Sequence, residues 1–155
     1  MRRNSNFTAT GAEKLILANF LIRDVECYKA YGNQQSSDLI AVSKNSKKIA
    51  RIEVKSRVNY PKQAQKITSS NIKHKSLPYP DFYVSVFIKS YFKGVKVPLN
   101  HVTVDILVLP KKLVHSKKHT HIRKNGKYFY PNKLTAKEIS KYSNNFELII
   151  DFLNK

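Results

Sequence analysis

The stretch Ile49-Ala50-Arg51-Ile52-Glu53-Val54-Lys55-Ser56 is apolar enough to form a buried β-strand, yet it carries an acid and a lysine side by side. Because side chains alternate between the two faces of a strand, we expect Ile52 and Val54 to enter a core. Glu53 and Lys55 then share the opposite face. Charged groups beside a core are costly unless they are paired or serve a function. The pattern therefore predicts a site on this strand.

A second acid precedes the neighbouring apolar run. Asp38 stands at the head of Leu39-Ile40-Ala41-Val42, and the polar residues 44–48 are typical of a hairpin turn. We therefore expect two antiparallel strands, which bring Asp38 within reach of Glu53. Two carboxylates can hold Mg²⁺ or Mn²⁺, and the backbone carbonyl of Val54 could be a further ligand. Lys55 could then orient the attacking water or stabilise charge on a reacting phosphate.

The charge of the chain favours a polyanionic partner. The sequence has 29 Lys and Arg against 10 Asp and Glu, for a formal net charge of +19. Such a balance favours nucleic acid or an anionic membrane surface over a small neutral ligand. No acid lies between Glu53 and Asp81 or between Asp105 and Glu138. The residues that we expect to contact nucleic acid are Arg57, Lys62, Gln65, Lys66, Lys73, Lys117, Lys118, Arg123 and Lys124.

Length and composition predict a single domain over residues 1–155. Within it we expect a basic loop or hairpin over 111–133 and C-terminal helices over 135–153. The single cysteine suits a reducing cytoplasm, and no apolar stretch is long enough to span a bilayer. We therefore expect a cytoplasmic protein that does not bind membranes.

The remaining patterns predict the element order α-β-β-β-α-β-β-α, with a mixed central sheet and helices on both faces. Thr8 or Thr10 is expected to cap a first helix, with Glu13 close to its start. Further along the chain we expect a helix over 63–74, strands over 81–88 and 102–109, a helix capped by Thr135 with Glu138 in a capping box, and a final helix over 146–153.

This order and these residues resemble the PD-(D/E)xK nuclease superfamily, which has a restriction-endonuclease-like fold. The matching residues are Gly11-Ala12-Glu13 on the first helix, Ser37-Asp38 opening a strand, Glu53-Val54-Lys55 closing the next, and the later strand Asp81-Phe82-Tyr83-Val84. The resemblance covers roughly residues 8–110. Ser37 departs from it, since the named pattern has proline there.

The resemblance implies an αβββαβ core and a Mg²⁺-dependent nuclease that commonly acts on DNA. The catalytic residues would be Asp38, Glu53 and Lys55, and Glu13 could reach the metal through water or complete a second site. Cutting both strands of a duplex needs two sites, so we expect a homodimer or a partner subunit.

Two other interpretations stay open. The same fold could serve as a non-catalytic clamp on nucleic acid, with Glu53 and Lys55 as a structural ion pair. A basic protein associated with RNA or the ribosome would also fit the charge. His115, His119 and His121 lie among lysines, and we expect phosphate contact there rather than zinc, since no cysteine is near.

Overall fold

The computed structural model describes residues 5–30, 37–59, 70–71, 79–90, 102–124 and 126–155. The helices are α1 Ser5–Leu21, α2 Lys111–Val114, α3 Ala136–Tyr142 and α4 Glu147–Asn154. The strands are β1 Glu26–Lys29, β2 Leu39–Val42, β3 Ile49–Asn59, β4 Ser70–Asn71, β5 Phe82–Ser90, β6 Val102–Pro110, β7 Thr120–Arg123 and β8 Gly126–Phe129. A 3₁₀ turn occupies Pro131–Lys133.

The central sheet has five strands in the order β1-β2-β3-β5-β6. β1, β2 and β3 are antiparallel neighbours, β3 runs parallel to β5, and β5 is antiparallel to β6. The predicted mixed sheet and the predicted antiparallel pairing of β2 with β3 are therefore confirmed. A parallel pair needs a crossover connection. Here that connection includes β4, which belongs to a second sheet of order β4-β8-β7.

One face of the central sheet is covered by α1 and α4. Helix α1 contributes buried residues at four-residue spacing, which include Ala12, Ile16 and Phe20. Such spacing places side chains along one side of a helix. They pack with Ile149 and Leu153 of α4 on the apolar face of the strands, to which β3 contributes Ile52.

The opposite face is covered by α2, α3 and the β7–β8 hairpin. Its buried cluster consists of Tyr83, Phe87, Leu107, Leu109, Val114, Phe129, Leu134 and Tyr142. Because both faces are covered, β5 is apolar at successive positions, as in sheets with helices on either side. The predicted class, an α/β fold with a mixed sheet flanked by helices, is thus observed.

Helix α1 begins earlier than predicted. It starts at Ser5, so Thr8 and Thr10 lie inside the helix and do not cap it, and no acid falls in its first turn. The sequence does not indicate this start, because the apolar stripe of the helix begins only at Leu15. Threonine and alanine differ in helix propensity by less than about 0.7 kcal/mol, so packing of the later turns can extend the helix towards its N-terminus.

The predicted helix over 63–74 is wrong at the two residues that the structure describes there. Ser70 and Asn71 form β4 and pair with Phe129 and Tyr128 of β8. Such a short strand is held by its partner and leaves no periodic pattern in the sequence. The other residues of this segment lie outside the described ranges.

The predicted capping box of the C-terminal region is observed. Thr135 accepts a hydrogen bond from the Glu138 N–H, and the Glu138 carboxylate accepts one from the Thr135 N–H, which completes the capping box of α3. The basic region 111–133 contains the β7–β8 hairpin, preceded by α2. Within the described ranges, no helix combines the length and the apolar character needed to cross a membrane.

Candidate active site

The register of β2 on β3 places Asp38 opposite Glu53. Leu39 pairs with Ile52, and the Asp38 N–H donates to the Ile52 carbonyl at 2.9 Å, so the antiparallel ladder continues by one residue beyond β2. Asp38 Oδ2 accepts a hydrogen bond of 2.7 Å from the Val54 N–H. This bond fixes the Asp38 side chain against the backbone of β3.

Glu53 and Lys55 lie together on the face of β3 that is turned away from Ile52, as alternation requires. Glu53 is 8% exposed, and Lys55 Nζ contacts Glu53 Oε1 in an ion pair. The two residues lie in the middle of β3 and not at its end, because the strand continues to Asn59. In this position both side chains are flanked by β5, where Tyr83 is opposite Glu53 and Ser85 is opposite Lys55.

The electrostatics of the site show that negative charge is concentrated in a poorly solvated place. Burial, and then the neighbouring Glu53 carboxylate, raise the pKa of Asp38 to about 6, although the Val54 N–H and Lys55 act in the opposite direction. Burial likewise raises the pKa of Glu53 against the effect of Lys55. A cation bound between the two carboxylates would offset both effects.

Glu13 reaches the same neighbourhood from α1. Its Oε2 lies 2.9 Å from Nζ of Lys29 on β1, and its charge raises the pKa of both Asp38 and Glu53. Glu13 is therefore close enough to the two other acids to interact with them, but its direct partner is Lys29. This places it beside the Asp38–Glu53 pair, at the end of the sheet where β2 begins.

The donor set suits a hard divalent cation with an incomplete protein shell. In an antiparallel ladder the N–H and C=O of one residue point to the same neighbouring strand. The Val54 carbonyl therefore points to the side on which its N–H meets Asp38. Mg²⁺ is commonly held by one or two carboxylates and keeps several waters. Among the described residues, no three or more His, Cys, Asp or Glu side chains are grouped so that they could hold a metal ion by themselves.

Tyr83 and His115 were not predicted as part of the site. Tyr83 lies next to Glu53, and His115 contacts Tyr83. Tyr83 is 2% exposed, and its Oη lies 2.7 Å from Nε2 of His115. Burial, and then the charge of Glu53, raise the pKa of Tyr83. The apolar run of β5 is visible in the sequence. The position of Tyr83 beside Glu53 is not, because it depends on the parallel placement of β5 beside β3.

The predicted nucleic-acid contacts are scattered over several elements. Arg57 is exposed near the end of β3, Lys117 and Lys118 are exposed after α2, and Lys124 is exposed at the turn of the β7–β8 hairpin. Arg123 belongs to β7. The candidates Lys62, Gln65, Lys66 and Lys73 lie outside the described residues.

The three histidines of the basic region occupy different environments. His119 is 2% exposed, and its Nδ1 lies 2.8 Å from Ser116 Oγ. His115 is hydrogen-bonded to Tyr83, and His121 is exposed on β7. Since they do not converge, the described part of the chain offers no zinc site made from them.

Comparison with known proteins gives a likeness in structure. No family model matches the chain, and no curated protein matches it in sequence. Among solved structures, the chain is similar to a bacterial homing endonuclease, I-Ssp6803I, with a TM-score of 0.57 and 13% sequence identity. The match covers 96% of this chain and 94% of the other. At this identity the likeness shows the fold alone, which is one that a nuclease also adopts.

Proposed function

We propose that the protein is a metal-dependent nuclease of the PD-(D/E)xK kind that hydrolyses phosphodiester bonds in DNA. The observation that carries the proposal is the meeting of Asp38 and Glu53 on adjacent strands, with Lys55 in contact with Glu53. The likeness in fold to a homing endonuclease supports it at the level of architecture.

Each residue of the site has a distinct part in this proposal. Asp38 and Glu53 would hold Mg²⁺ or Mn²⁺, with the Val54 carbonyl as a further ligand. When bound, the ion would lower the pKa of a coordinated water and polarise the phosphate. Lys55, whose side chain is 30% exposed, would stabilise the negative charge that develops on the phosphate oxygens.

Glu13 would act at a distance. Its carboxylate adds negative charge beside Asp38 and Glu53, which strengthens their attraction for a cation. Its ion pair with Lys29 keeps this charge partly neutralised. We therefore place Glu13 in support of the two direct ligands.

The net charge of +19 supports DNA as the substrate, because each phosphate contact with a basic side chain releases counterions. We propose an endonuclease, in which a homodimer or a partner subunit supplies the site for the second strand.

Cleavage of plasmid DNA tests the proposal. Supercoiled plasmid is incubated with the protein in Mg²⁺, with and without EDTA, and with the variants Glu53→Gln and Lys55→Ala. We expect nicking or linearisation that EDTA abolishes and that each variant reduces by at least about a hundredfold. Glu147→Gln, which removes an exposed acid from α4, is the matched control and should cut at the normal rate.

A second candidate function is a clamp that binds nucleic acid without cutting it. The direct ion pair of Lys55 with Glu53 favours it, because the pair neutralises the two charges without any other partner. Tight binding that weakens steeply with salt, together with intact plasmid at saturating Mg²⁺, would establish the clamp and refute the nuclease.

A further inference from the structure

The β7–β8 hairpin exposes a large apolar side chain among basic residues. Ile122 of β7 is 78% exposed, whereas Phe129, at the other end of the hairpin, is 2% exposed. Isolated apolar residues on a surface are common and need no explanation by themselves. The position of Ile122 relative to the candidate active site supplies a further observation.

The register of the hairpin puts Ile122 on its inner face. Ile122 pairs with Lys127, and Thr120 pairs with Phe129. Residues opposite each other, and those two positions apart, share one face of a sheet. Phe129 is part of the cluster beneath the central sheet. Ile122 therefore lies on the face by which the hairpin packs onto the protein. It is nearer the turn of the hairpin than Phe129, where this face is no longer covered.

A short series of contacts connects this face with the acids of the site. Glu53 is opposite Tyr83, and Tyr83 Oη lies 2.7 Å from His115 Nε2. Lys127 Nζ donates to the His115 carbonyl at 3.3 Å. Since Lys127 is the cross-strand partner of Ile122, this series of contacts runs from Glu53 to the hairpin that carries the exposed isoleucine.

The surroundings of Ile122 match the charge of DNA. Lys124, at the turn of the same hairpin, is exposed, and so is Lys117, whereas Lys118 is paired with Glu138 at 3.2 Å. No acid occurs in the sequence between Asp105 and Glu138. Proteins that bend or unstack duplex DNA use basic side chains for the phosphates and an apolar side chain such as isoleucine for the bases.

We propose that the β7–β8 hairpin enters a groove of duplex DNA bound at the Asp38–Glu53 site and that Ile122 packs against the bases there. This inference rests on the proposed function, because DNA must lie across the site. Lys124, at the turn, then contacts the phosphate backbone, while Ile122 makes a contact that is independent of charge.

Salt titrations of DNA binding separate these two kinds of contact. The full chain is titrated with a random-sequence duplex of about thirty base pairs in Ca²⁺ at several salt concentrations. Ile122→Ala should weaken binding about tenfold at every salt concentration, since three carbon atoms are lost from an apolar contact. Lys124→Ala should lower the slope of log K against log salt by about 0.9.

A matched control comes from a different element of the fold. Ile22, which follows α1, is 79% exposed, so Ile22→Ala removes the same atoms from an equally exposed position. We expect its affinity to equal that of the unaltered protein, and we expect Ile122→Leu to keep most of the affinity. Urea unfolding of each variant verifies that the fold is retained.

The outcomes are distinct. Equal affinities for Ile122→Ala and Ile22→Ala, or a change in salt slope for Ile122→Ala, would overturn the inference, as would failure of the unaltered protein to bind duplex DNA. If the protein binds DNA but leaves plasmid intact in Mg²⁺, the proposed hydrolysis fails, while the same titrations still decide the role of Ile122.

Discussion

Replacing Asp38 by asparagine should stabilise the folded protein at neutral pH. The Asp38 carboxyl is held in a poorly solvated position opposite Glu53. Burial, and then the charge of Glu53, raise its pKa to about 6 from an ordinary value of 3.8. An asparagine keeps an oxygen that can accept the 2.7 Å hydrogen bond from the Val54 N–H. The substitution therefore removes the charge and retains the contact.

The magnitude follows from the pKa. The difference between about 6 and 3.8 corresponds to about 3 kcal/mol of unfolding free energy at a pH above both values. For a chain of 155 residues, this would raise the melting temperature by on the order of 5–10 °C.

The dependence on pH gives the sign of the effect. A carboxyl whose pKa is higher in the folded than in the unfolded chain binds its proton more tightly when folded. Its stabilising contribution is complete below about pH 4 and is lost as the pH rises through about 6. The asparagine side chain of the variant cannot lose a proton, so the advantage of Asp38→Asn should be near zero at about pH 4 and largest at about pH 7.

Urea unfolding at several pH values between about 4 and 7, with and without Mg²⁺, measures this effect. Mg²⁺ should stabilise the unaltered protein by mass action and leave Asp38→Asn unchanged. Two results would refute the claim that the charge of Asp38 destabilises the folded protein. One is a variant that is less stable than the unaltered protein at neutral pH, and the other is a gain in unfolding free energy that does not vary with pH.

Other predictions concern the elements that hold the site. Thr135→Ala should lower the unfolding free energy by about 1 kcal/mol, because it removes the capping box of α3, and Thr135→Ser should retain most of it; urea unfolding measures both. Phe20→Ala should cost about 3–5 kcal/mol, because Phe20 is 0% exposed and packs edge-to-face on Phe146 at 5.3 Å, and a cost below about 1 kcal/mol would contradict this packing.

Several parts of the fold were predictable because the signal is local. The strands β2, β3, β5 and β6 coincide with apolar runs, and the Thr135–Glu138 spacing indicated the start of α3. The face shared by Glu53 and Lys55 followed from alternation along a single strand. In each case, residues close in the sequence carry the whole pattern.

Other parts depend on pairings between distant segments. The position of β4 is set by Tyr128 and Phe129, which are far away in the chain, and nothing in Ser70–Asn71 indicates it. The contact of Tyr83 with His115 likewise required the antiparallel register of β6 on β5 and the turn after α2. The start of α1 was missed because helix propensity differs little among its first residues.

The distribution of charge was only partly predictable. The sequence indicated that Asp38 and Glu53 would approach each other, but not that the Val54 N–H would bind Asp38. It also did not indicate that Glu13 would pair with Lys29 on the edge strand β1. Both contacts depend on where side chains meet across strands, which a single sequence does not specify.

A crystal soaked with Mn²⁺ tests the central claim most directly, because the anomalous signal of manganese locates the ion. We predict a peak coordinated by the carboxylates of Asp38 and Glu53, which disappears in crystals of Glu53→Gln. A soak at saturating Mn²⁺ that leaves the space between these carboxylates without a peak, or that places the ion at other residues, would contradict the site.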